Sequence, residues 1–173
     1  MSLLAAYTNL HVAISLVGIV AGFVAMSFMW TRRESNAVTA IFLSMTILTS
    51  VTGFGFPASE VKPAHILGVI SLVALGVAVH AKYVKHSIGS WMIVYLSGAI
   101  LAQYLNVFVL IVQSFQKLSF LRALNPTQPS FLIQLTQVIM LLGFLSFTAK
   151  LIFVLRRAGS TQLNVASTSN KSC

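Results

Sequence analysis

Five apolar stretches leave this chain little sequence that is not compatible with hydrocarbon: Leu10 to Trp30, Ala37 to Phe56, Ala64 to Tyr83, Trp91 to Val112 and Phe131 to Leu155. Each meets the ~20 residues needed to span ~30 Å of bilayer core at 1.5 Å per residue. With no water inside that core, every backbone amide needs an internal partner, so the stretches are expected to be helices. The expected fold is therefore all-α, a polytopic membrane bundle of five transmembrane helices over residues 1–157. Hydrophobic residues make up 57% of the chain and charged residues 8%. A soluble domain carries roughly 25% charged residues, which excludes that class.

The formal net charge is +9. In a soluble protein that excess would point to nucleic acid; here it bears on orientation instead. Arg32, Arg33, Lys82, Lys85, Lys150, Arg156, Arg157 and Lys171 fall on one side of the five spans, and Lys62, Lys117 and Arg122 on the other. Eight against three predicts the N-terminus outside and the C-terminus in the cytoplasm, in a multi-pass inner-membrane protein. Met1 to Leu10 hold no basic residue, so the n-region of a cleavable signal peptide is missing and the first span is expected to be retained. Residues 116–130 are too polar to cross. Leu118, Phe120, Leu121 and Leu124 alternate there with Lys117, Ser119, Arg122 and Asn125, the pattern of an amphipathic segment lying on the outer surface. Residues 158–173 are rich in Ser, Thr and Asn with no apolar period, and are expected to form a disordered cytoplasmic tail.

Small residues mark the packing faces. Ser15, Gly18, Gly22 and Ala25 recur at steps of three and four along the first span, on the stripe that His11 begins, and admit a neighbouring backbone. In the third span Gly68, Leu72, Gly76 and His80 share a broad face. In the fourth, Tyr95, Ala102, Asn106 and Gln113 share one, with Gln103 beside it. Amides at bilayer depth need partners, and Gln134 and Gln137 of the fifth span are expected at the depth of Gln113 and Asn106.

On this topology His11, Thr49, Thr52, His65, Asn106, Gln113, Gln134 and Gln137 gather toward the outer face as a candidate ligand-binding cluster. The acids, Glu34 and Glu60, both lie on connecting turns, so neither a carboxylate proton relay nor a Ser-His-Asp set can be built inside the membrane. No phosphate-binding loop or zinc-binding run occurs, and no metal site is expected. The chain thus reads as non-enzymatic: an accessory subunit, or a binder of a lipid, quinone or other apolar molecule, with no cofactor. One alternative is a b-type haem protein with His11 and His65 as axial ligands, since both begin spans that run outside to inside. Another is an oligomeric channel or carrier, because the Gly18–Gly22 seam can join copies of the chain, as a homo-oligomer or within a larger membrane complex, as well as helices of one copy.

Leu10-His11, Thr49-Ser50-Val51-Thr52-Gly53-Phe54, Pro63-Ala64-His65, Leu105-Asn106-Val107-Phe108-Val109-Leu110 with Gln113, and Pro126-Thr127-Gln128 resemble a group of small bacterial polytopic inner-membrane proteins with a His near the start of the first span. The resemblance covers most of the chain up to the tail. It implies a bacterial inner membrane and adds no catalytic assignment.

Overall fold

The computed structural model describes residues 2–33, 35–56, 63–123 and 131–169, with the side chains of Pro63, Arg122 and residues 158–169 excepted. Helix α1 runs Leu3–Thr31 and α2 Asn36–Gly53. Helix α3, Pro63–Val79, passes into a π-helical turn, His80–Val84. Helix α4 is Ser90–Lys117, α5 the single turn and a half Ser119–Ala123, and α6 Phe131–Ser169. Among the described residues there is no strand. Five of these helices are long and apolar enough to cross a membrane, and they correspond to the five stretches seen in the sequence.

Local signals account for the helix ends. Ser2 Oγ accepts the Ala5 N–H (3.3 Å), and Ser35 Oγ accepts the Val38 N–H (3.4 Å), so each N-terminus has one otherwise orphaned donor satisfied. Helix α1 closes with Arg33 N–H on the Phe28 carbonyl and Arg32 N–H on that of Met29, with Arg32 left-handed at φ 55°. This is a Schellman end built on Arg rather than the usual Gly. Before α4, Gly89 takes φ 58° and ψ −127°, a combination open only to a residue without Cβ.

The helices outrun the expected spans at several ends. Helix α1 starts seven residues earlier, at Leu3, once Ser2 caps it. Helix α4 continues through Lys117, five residues past Val112, because the intervening stretch holds no Pro or Gly to stop it. The segment expected at the surface is thereby reduced to α5, which at five residues is far too short to cross. Its remainder, residues 124–130, lies outside the described residues. Helix α6 continues to Ser169 through most of the stretch expected to be a tail without regular structure. Gly159 is the one weak helix former between Arg157 and Ser160, and no Pro follows to stop the ladder.

Helix α4 touches each of the other four long helices. Half of its most apolar window is buried (50%) against 11% for α6, which identifies α4 as the centre of the bundle and α6 as its outermost member. Helix α2 packs between α1 and α3, and α4 lies across all three. The close approaches are at small residues. A Cβ on Gly18 would sit 3.3 Å from Met45 Cβ of α2, and one on Gly98 of α4 would sit 2.9 Å from the Ala74 carbonyl of α3. The core between them is Phe42, Leu75, Leu96, Ala99 and Ile100. On α3 the inward face is Ser71, Ala74, Leu75 and Ala78; Gly76 and His80 are exposed, so the face assigned to Gly68, Leu72, Gly76 and His80 is rotated from the buried one.

Candidate functional site

The structure distributes the residues of the expected outer cluster over separate contacts. Three groups of contacts hold five of them, two groups by hydrogen bonds and one by ring stacking. The first is built around His11. Its Nδ1 lies 2.7 Å from Thr52 Oγ1. The Thr52 hydroxyl is itself 2.7 Å from the Leu48 carbonyl and 3.3 Å from that of Thr49, so its hydrogen is committed to its own helix. His11 Nδ1–H is then the donor and Thr52 Oγ1 the acceptor, which fixes the tautomer and leaves Nε2 as the nitrogen offered to a ligand. Tyr7 ties α1 to the same turn by donating its hydroxyl to the Thr52 carbonyl (2.6 Å). Phe56 meets the rings of Tyr7 and His11 edge-on, each at a centroid distance of 5.1 Å. His11 is therefore a polar ring edge held in an aromatic wall and only partly exposed.

His65 belongs to a second group. Its ring stacks on Phe54 at 5.7 Å and 18°. Phe54 in turn lies against Gly68, where a Cβ would be 3.2 Å from Phe54 Cζ. His11 and His65 thus engage different residues of the α2 end, and α2 packs between the helices that carry them.

The amides form the third group, deeper in the bundle. Asn106 faces inward and donates to Thr46 Oγ1 of α2 (3.1 Å), both side chains being buried. Gln137 donates to the Phe108 carbonyl (3.1 Å) and joins α6 to α4 at the level of Asn106. Gln113 is half-buried and Gln134 exposed, so the layer that the sequence assigned to four amides draws on two of them. Thr49 Oγ1 is buried and makes no hydrogen bond.

The residue that sequence reasoning undervalued is Gln103. It is wholly buried, and its Nε2 donates to the Ile19 carbonyl of α1 (2.9 Å). Its Oε1 has no hydrogen-bond partner but lies against Gly22, at the place a Cβ would occupy. The signal was present in the sequence as an amide midway along the most apolar part of the fourth span, opposite a small-residue stripe. Helical spacing alone put it at the edge of the polar face.

Among the described residues no group of three or more His, Cys, Asp or Glu side chains converges as a metal site would require. Comparison of the chain with protein families, with curated proteins and with solved structures finds no match.

Proposed function

We propose that this chain is a multi-pass inner-membrane protein, N-terminus outside and C-terminus in the cytoplasm. We further propose that it acts without catalysis by binding an amphipathic apolar molecule, a lipid or a quinone, at its His11 end, alone or as an accessory subunit. One observation carries the ligand reading: Thr52, with its own hydrogen committed to α2, holds His11 by Nδ1 beside the rings of Phe56 and Tyr7, and leaves Nε2 without a hydrogen-bond partner among the described residues. Binding sites for such molecules are mostly apolar with a few oriented polar groups, and an imidazole whose second nitrogen is fixed is a group of that kind. It accepts from a hydroxyl in its imidazole form and donates to a carbonyl in its imidazolium form. Five apolar helices and the eight-to-three distribution of basic residues support the membrane and orientation parts.

The test is to extract lipids and quinones from protein purified in mild detergent and quantify them by mass spectrometry, for the native chain and for His11→Leu and Thr52→Val. Retention of one amphipathic species by the native chain, lost in both variants, is the expected result. Equal retention by all three would refute the site. Orientation is tested separately by alkaline phosphatase fusions, expected to be active after Ser59 and inactive after Ser160; the reverse pattern would invert the topology.

A further inference from the structure

At the opposite end of the bundle, 21 residues or about 31 Å along α1 from His11, a cavity of about 180 Å³ opens between the end of α1, the start of α2, the π-helical turn and the first turns of α4. Its rim is cationic, formed by Arg32, Arg33 and Lys82. Its floor is the buried core, Ala25 and Leu96, with Thr39 and Tyr95 adding hydroxyls. We propose that this cavity binds a phosphate-bearing anion, the group carried either by an anionic lipid headgroup or by a free phosphate compound. The proposal is independent of the His11 ligand and uses the membrane reading only for the lipid source.

Four features favour an anion, and one sets its size. The rim carries three positive charges, and counting the single acid of that loop, Glu34, still leaves two. Arg32 is anchored where it stands: its left-handed backbone ends α1 and its guanidinium donates to the Val154 carbonyl of α6 (3.3 Å), leaving the other N–H donors of the fork to the rim. Lys82 lines the cavity from the π-helical turn, with its ammonium 5.3 Å above the Tyr95 ring. Ser35 and Thr39 bring the N-terminus of α2, the positive end of a helix dipole, to the same wall. Guanidinium groups bind phosphate oxygens in pairs, and a lysine supplies a point charge beside them. The volume is below the ~300–1,000 Å³ of sites for drug-sized ligands and leaves room for a phosphate with a short arm.

The experiment uses the full chain in non-ionic detergent, with phosphatidylglycerol, glycerol 3-phosphate and inorganic phosphate as probes, read by thermal stability and by native mass spectrometry. One probe should saturate at one molecule per chain. Arg33→Gln with Lys82→Gln should weaken its binding at least tenfold. Lys85→Gln with Arg156→Gln removes the same charge outside the cavity and should change binding less than twofold. Saturation by the lipid alone assigns the site to a headgroup, and competition by either free phosphate assigns it to a soluble compound. Should the rim variant fail to fold, a lipid with a photoreactive headgroup should label the native chain within residues 28–39 or 82–96. Absence of saturable binding by every probe, equal weakening by the two double variants, or labelling spread evenly over the basic end would each overturn the proposal.

Discussion

Gly22→Ala is the sharpest single probe of how this bundle is held. The new Cβ would fall on the amide of Gln103, whose Oε1, Cδ and Nε2 all lie within 3 Å of that point. Gln103 is wholly buried and central to α4, so its amide has no free space to enter. Either α1 and α4 separate or the amide turns away and gives up its bond to the Ile19 carbonyl. Overpacking of this kind costs about 1–3 kcal/mol. The lost interhelical bond adds only ~0.6 kcal/mol by the average for membrane bundles. Better helix propensity of Ala over Gly returns about 0.5–1 kcal/mol, so the net loss should be about 0.6–3 kcal/mol. In a Gln103→Ala background the clash is gone, and Gly22→Ala should be neutral or mildly stabilising. The double-mutant cycle, measured by denaturant titration in mixed micelles, should therefore show a coupling of about 2 kcal/mol between the two sites. Additivity within ~0.5 kcal/mol would refute the packing of Gln103 on Gly22.

Two other outcomes follow from the same coordinates. Asn106→Leu removes the donor to Thr46 Oγ1 and should cost about 0.6–1.7 kcal/mol in the same titration, whereas Gln134→Leu on the exposed side of α6 should change stability by less than ~0.5 kcal/mol; equal costs would mean that the helical phase of α4 or α6 is wrong. Because α2 packs between the helices carrying His11 and His65, the purified protein should be colourless; a Soret band abolished by His65→Ala would show that the two imidazoles share an iron.

Much of the architecture was legible in the chain because hydrocarbon is an exacting solvent. Apolar runs of the right length specify five helices, and the Ser15–Gly18–Gly22–Ala25 stripe marks the face of α1 that turns inward, where Gly18, Gly22 and Ala25 are buried. Asn106 could be assigned to the interior because an amide in lipid has no alternative partner. Partner identity was not legible in the same way. Depth and spacing suggested that Asn106 would meet the glutamines of α6, yet α4 crosses α2 at that level and Thr46 is the nearer acceptor. Periodicity gives each helix a face but not a neighbour, so the lone amide Gln103 read as an edge residue until α1 was brought against it through Gly22. His11 and His65 share a depth by sequence, but one is hydrogen-bonded to Thr52 and the other stacked on Phe54, contacts set by packing order. The cationic rim of Arg32, Arg33 and Lys82 joins loop and turn residues some fifty positions apart. Each of those groups is dictated locally by composition, and only the way α1, α2 and α4 pack decides that they border one cavity.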